Sequence, residues 1–215
     1  MRIITIGGPP GAGKTSIIRH LGNRLGRGLC AAKLDALHAD EPAAFAARGI
    51  PATVRLSGNY CPDHIGFLCF KDFYTWAQDT GCEYLAVETA GLCGRCTPFF
   101  RDTLSVCVLP CTAGVAAVQS LAPLAAPARA IVLTRADVAT HSERRVLAHT
   151  LARINPDADI IPANGLTGEG LARLARHARE APECGAFVHK IIAGRPPRGL
   201  CSLCQDPAPG QGGTL

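Results

Sequence analysis

The strongest constraint in the 215-residue sequence sits at its start, where Arg2-Ile3-Ile4-Thr5-Ile6 runs into Gly8-Pro9-Pro10-Gly11-Ala12-Gly13-Lys14-Thr15. The β-branched run predicts a strand. Lys14 to about Arg24 predicts a helix with Ile17, Ile18, Leu21 and Leu25 on its inner face. A G-x-x-x-x-G-K-[ST] segment that joins a strand to a helix has a physical use. Its glycines let successive backbone N–H groups point inward as an anion nest, and the helix N-terminus adds a favourable dipole. Gly11, Ala12, Gly13, Lys14, Thr15 and Ser16 are therefore candidate phosphate-binding residues. Lys14 would reach the β- and γ-phosphates, and the Thr15 hydroxyl would ligate Mg²⁺. The segment predicts binding of a nucleoside triphosphate.

Downstream, strand and helix patterns alternate. Strands are expected at Leu29–Leu34, Thr53–Leu56, Glu83–Glu88, Leu104–Leu109, Ala130–Leu133 and Asp159–Pro162. Helices are expected at Asp40–Arg48, Phe70–Asp79, Ser142–Ile154 and Glu169–Arg179. The near-continuous apolar strands fit parallel pairing covered on both faces. The fold expected is a three-layer α/β domain with a mostly parallel central sheet over residues 1–181. From Pro182 the alternation fails, so residues 182–215 are expected to form a cysteine-containing extension whose last ten residues are disordered.

Composition narrows the setting. With 47% hydrophobic residues the chain can build a core, and no apolar run reaches the length of a membrane span. The N-terminus lacks the pattern of a signal peptide, so a cytoplasmic location is expected. The net charge of +5 is scattered over arginines and forms no stripe, which argues against a nucleic-acid partner. Eleven cysteines in a reducing compartment then point to metal or redox chemistry rather than to disulfides.

The partner carboxylate for a phosphate loop belongs at the end of a neighbouring apolar strand. Tyr84-Leu85-Ala86-Val87-Glu88 supplies it, with Gly91 three residues on, whose N–H can approach a γ-phosphate. Asp35 is the second acidic candidate, for Mg²⁺ or for orienting the attacking water; a helix cap or turn role is the competing reading. Asp137, just past the Ile131–Leu133 run, can accept two hydrogen bonds from guanine that adenine does not offer. In this reading Thr134 and Arg135 line the base, with the arginine stem laid against it, and Asn164 and Gly165 close the pocket.

These pieces, in this order, resemble the metal-insertion GTPases of the UreG/HypB/CobW group. The resemblance is carried by GGPPGAGKTS at 7–16, LDALHADEPAAF at 34–45, YCPDH at 60–64, LAVETAGLCGRC at 85–96, TRAD at 134–137 and NGLTGEGL at 164–171. Its specific part is a Glu-x-x-Gly at Glu88 joined to the Cys-Pro-x-His of Cys61 and His64. The resemblance implies a GTPase that uses Lys14, Asp35 and Glu88 catalytically, with Mg²⁺ at Thr15, Asp35 and Glu88. It also implies delivery of nickel or another metal to a client apo-metalloenzyme or its accessory proteins. The sequence departs from the group at Thr134-Arg135-Ala136-Asp137, which replaces Asn-Lys-x-Asp, at the extra residue inside Cys61-Pro62-Asp63-His64, and in its C-terminal extension.

Thiolate and imidazole suit Ni²⁺, Zn²⁺ or Co²⁺. Cys61 and His64 are close enough in sequence to chelate from a turn, and Cys93 and Cys96 form a second pair beside Gly91. One chain offering all four ligands, or two protomers each offering a pair in a nucleotide- or metal-dependent homodimer, are both open. Cys201 and Cys204 form a possible second site. Cys30, Cys69, Cys82 and Cys107 read as packing residues, Cys111 is left open, and the remaining histidines read as surface residues. Two other functions use the same phosphate loop: a small-molecule kinase with a structural zinc site, and a nucleotide- or metal-sensing adaptor without turnover.

Overall fold

The structure is a computed structural model and describes residues 1–35, 41–90, 97, 99–100 and 102–184. Seven strands form one sheet: β1 (Arg2–Gly7), β2 (Leu29–Asp35), β3 (Ala52–Leu56), β4 (Tyr84–Glu88), β5 (Leu104–Pro110), β6 (Ala130–Thr134) and β7 (Asp159–Pro162). Their order is β3-β2-β4-β1-β5-β6-β7, and every pairing is parallel. All carboxyl ends therefore reach the same edge, and β1 at the centre is where the chain's winding reverses. A crevice at that edge is where open α/β sheets bind ligands.

Among the described residues eight helices accompany the sheet: α1 (Lys14–Leu25), α2 (Glu41–Ala46), α3 (Pro62–Leu68), α4 (Phe70–Asp79), α5 (Gly114–Ser120), α6 (Ala122–Ala125), α7 (His141–Ile154) and α8 (Leu171–Glu180). Side chains of a strand alternate between faces, and this sorts the core. Ile4 and Ile6 of β1 pack with Ile17 and Leu21 of α1 and with Leu171, Leu174, Ala175 and Ala178 of α8. That α8 set follows the spacing of one helical face. Ile3 points the other way, to Phe70, Phe73, Tyr74 and Ala77 of α4. Phe70 also meets Phe100 edge to face at 4.6 Å between ring centroids, a favoured aromatic geometry. A third apolar group joins Cys107 and Leu109 to Val118 of α5 and to Leu147 and Leu151 of α7. Three layers result, as expected.

Several expectations need correction. The Cys61–His64 stretch is not a turn: it opens α3, because proline at the first helical position loses no hydrogen bond and has the right φ. The helix expected at Asp40–Arg48 is described only as Glu41–Ala46. It ends as Gly49 takes a φ of +68° and donates to the Ala46 carbonyl. Helices α5 and α6 have no counterpart in the sequence reading, although alanine-rich segments favour helix. His20 and His177 are only partly exposed, and each meets a partner. His20 lies 3.1 Å from the Gly165 carbonyl, and His177 lies 2.7 Å from Asp159. His141 and His149 are exposed.

The cysteines read as packing residues behave as such. Cys30 and Cys107 are buried, Cys69 and Cys82 are partly buried, and Cys111 joins the third apolar group. Burial pushes the Cys107 thiol up to about 12, so it stays protonated. Cys184, to which no role was assigned, is also buried, and its backbone ties the chain back to its start: Cys184 N–H donates to the Met1 carbonyl and Tyr74 donates to the Cys184 carbonyl. Residues beyond 184, including His189, Cys201, Cys204 and the tail expected to be disordered, lie outside the described residues. Among the described residues no helix is long and apolar enough to cross a membrane.

Helix α7 begins with a capping box in which Thr140 accepts from the Glu143 N–H and Glu143 accepts from the Thr140 N–H. Thr140→Ala is expected to cost about 1 kcal/mol of stability, measurable by urea denaturation.

Candidate functional site

The site is built where β1 ends. Gly8 follows directly, and a Cβ there would lie 2.2 Å from the Val108 carbonyl oxygen of β5, so only glycine fits this close approach. The chain then turns through Gly11 and Gly13, with φ of +71° and +95°, into α1. Left-handed conformations of this kind are natural to glycine. Lys14 is buried and donates from Nζ to the Gly8 and Pro9 carbonyls at 2.8 and 3.2 Å. Burial lowers the affinity of its amine for a proton, and the nearby carboxylates, Glu88 foremost, oppose that shift.

Thr15 and Glu88, 73 residues apart in sequence, meet here. The Thr15 hydroxyl lies 2.8 Å from Oε2 and 3.1 Å from Oε1 of the Glu88 carboxylate. The register of β1 with β4, Ile6 beside Glu88, sets this meeting. A hydroxyl and a carboxylate placed together at the first turn of α1 are the hard oxygen donors that Mg²⁺ takes, with water completing its shell. The loop and these donors fit a magnesium-bound nucleoside triphosphate.

Asp35 ends β2 and pairs with Lys33 at 3.0 Å. Its backbone carbonyl accepts from the Ser57 N–H, so the residue also anchors the turn after β3. Gly91, Cys93 and Cys96 lie outside the described residues.

Thr134 and Arg135 both reach back to the phosphate loop. The Thr134 hydroxyl is buried and donates to the Ala12 carbonyl at 2.7 Å, which ties β6 to the phosphate loop. Arg135 has a φ of +56° and sends its guanidinium to the Gly11 carbonyl at 3.0 Å. Asp137 is exposed beyond them. The Asn164 side chain is used within its own loop, where Oδ1 accepts from the Leu166 and Thr167 N–H groups. That loop lies against α1: a Cβ on Gly165 would meet Ser16 at 3.8 Å, and Arg24 donates to the Gly168 carbonyl. His20 and Arg24 thus brace the loop. Only their spacing along one helix face hinted at it.

Cys61 and His64 are both buried at the start of α3, which comes down onto β2 because Gly66 leaves room for Leu34. Among the described residues no group of three or more His, Cys, Asp and Glu side chains is placed to hold a metal ion. The other proposed ligands lie outside those residues.

Lys14 holds loop carbonyls that a phosphate would displace. Replacing it by methionine removes a desolvated charge, so Lys14→Met is expected to keep its melting temperature while binding a triphosphate more than about tenfold more weakly. Calorimetry and equilibrium nucleotide binding read the two effects separately.

No family model matches the chain. The uncharacterized protein MJ0120 of Methanocaldococcus jannaschii is 33% identical over 207 residues, which span 95% of this chain and 88% of that protein. The crystal structure of the hydrogenase maturation factor HypB from Archaeoglobus fulgidus is similar, with a TM-score of 0.68 at 21% identity over 84% of this chain and 89% of that one. So is HypB from Helicobacter pylori in complex with nickel, with a TM-score of 0.71 at 17% identity over 87% and 92%. At these identities the two structures speak to the fold, whereas the identity to MJ0120 speaks to descent. The chain belongs to the family of MJ0120, and its fold is that of HypB and other P-loop GTPases.

Proposed function

We propose that this chain is a GTP-hydrolysing metallochaperone that binds a transition metal beside its nucleotide switches and delivers it to a client apo-metalloenzyme or its accessory proteins. The observation that carries the reading is the Thr15–Glu88 contact at 2.8 Å beside the loop-bound Lys14. It supports a site prepared for a magnesium-bound triphosphate. When bound, Mg²⁺ would neutralise charge on the phosphate oxygens. Lys14 would bind the β- and γ-phosphates, Thr15 and Glu88 would hold the metal's shell, and Asp35 would orient the attacking water. An exposed carboxylate at Asp137 can accept from both guanine donors, which favours GTP over ATP.

The metal half of the proposal rests on donor chemistry. Cys61 and His64 stand at the start of α3, the element packed against β2. With Cys93 and Cys96 they form a thiolate–imidazole set suited to Ni²⁺ or Zn²⁺, either within one chain or across a homodimer. HypB of Helicobacter pylori, which shares the fold, was crystallised with nickel. Loss of the γ-phosphate would relax the segment after Glu88 and change the set from holding to releasing. Residues 1–181 form the GTPase domain in this reading, and 182–215 the extension, where Cys201 and Cys204 offer a second metal pair.

Equilibrium binding of Ni²⁺, Zn²⁺ and Co²⁺, with GDP or a non-hydrolysable GTP analogue and with mass followed in solution, tests the proposal. Stoichiometric binding whose affinity depends on the nucleotide is expected, accompanied by dimer formation. A Cys61→Ala/His64→Ala variant should lose the metal and keep nucleotide affinity. Metal binding no stronger than nonspecific would overturn the chaperone reading and leave the nucleotide site standing.

A further inference from the structure

Lys33 has no part in the roles assigned so far. It is a cation within an apolar strand, 6% exposed, with its ammonium 3.0 Å from the Asp35 carboxylate. An apolar side chain would occupy the same slot without the cost of desolvating a charge. Its surroundings show what that charge faces. Register places Lys33 beside Glu88 of β4, and Glu88 beside Ile6 of β1. Residues in register on parallel neighbours share a face, and Ile6 packs in the apolar group that includes Ile17 and Leu21 of α1. Lys33, Glu88 and Asp35 therefore crowd the face on which α1 begins, at the carboxyl edge of the sheet.

The two lysines feel each other there. The Lys33 charge disfavours protonation of Lys14, while Glu88, Asp63 and Asp35 favour it. Two ammonium groups thus share one partly buried site with three carboxylates. Lys14 rests on the Gly8 and Pro9 carbonyls, and Lys33 rests on Asp35. Both are held by protein oxygens that a phosphate group can replace. Adjacent strands lie about 5 Å apart, so a four-carbon stem on β2 spans the distance from its own strand to the space above β4, the strand between β2 and β1.

We infer that Lys33 is a contact for the terminal phosphate: its ammonium exchanges Asp35 for the γ-phosphate when a triphosphate binds, and returns when that phosphate leaves. The inference rests on the nucleotide reading above and adds a residue to it. Lys33 then supplies from within the chain a positive charge at the end of the triphosphate, and the released Asp35 couples β2 to nucleotide state.

Equilibrium binding of GDP and of a non-hydrolysable GTP analogue, each with Mg²⁺, to the full chain and to Lys33→Met and Lys33→Arg tests it. In Lys33→Met the analogue should bind about tenfold or more weakly, the loss of one charge-assisted contact, while GDP affinity changes by less than about twofold. Lys33→Arg should recover most of the difference. Parallel losses for both nucleotides would mean that Lys33 only supports the strand, and an unchanged ratio would mean that it does not touch the phosphate; either overturns the inference. If Lys33→Met binds neither nucleotide, Lys33→Gln is read by the same ratio. Failure of the unsubstituted chain to bind either nucleotide would instead overturn the nucleotide reading, and this inference with it.

Discussion

The hydrogen bond between Thr15 and Glu88 requires β1 and β4 to stand in register, and much of the molecule serves to keep them there. Ile6, Glu88 and Lys33 lie side by side across β1, β4 and β2. Helices α1 and α8 cover this sheet on one face, and α4 covers it on the other. A slip of one residue would turn Glu88 to the opposite face and place an apolar neighbour against the first turn of α1. The site's chemistry therefore depends on packing far from it, since β4 is buried along its whole length.

The resting site already satisfies its own polar groups. Lys14 and Arg135 hold carbonyls of the phosphate loop, Thr134 holds another, and Thr15 holds Glu88. A ligand that enters exchanges these partners rather than filling bare positions, so its affinity is a difference between two sets of hydrogen bonds. The same exchange would give a conformational signal, since residues released by the phosphates would be free to rearrange the segments to which they were bound. Lys33 and Asp35 stand where that rearrangement would pass into β2 and α3.

Much of the fold was legible because its signals are local. All seven strands of the sheet and the helices α1, α4, α7 and α8 follow from apolar spacing, and the phosphate loop follows from glycine chemistry. Helix α3 was missed because Pro62 reads as a break unless its place at the first helical position is known. The alanine-rich α5 and α6 carry little apolar contrast between faces, so their period is faint. In the site, the position of Thr134 and Asn164 just after a strand marks both as candidates to line a base. Nothing near Thr134 in the sequence shows that its hydroxyl reaches the Ala12 carbonyl, 122 residues away.

By itself the sequence determined the strand–loop–helix that makes an anion site, the alternation that makes a parallel sheet, and the identity of the carboxylate at the end of β4. Each depends on neighbours within a turn or two of chain, where sterics and hydrogen-bond geometry act directly. Only the tertiary structure decided which groups share that edge: that Glu88 meets Thr15, that Arg135 and Thr134 brace the loop, that Cys61 and His64 begin a helix over β2, and that Lys33 turns inward beside Asp35. Those pairings follow from strand order and register, which the burial of the whole sheet selects and no local segment encodes.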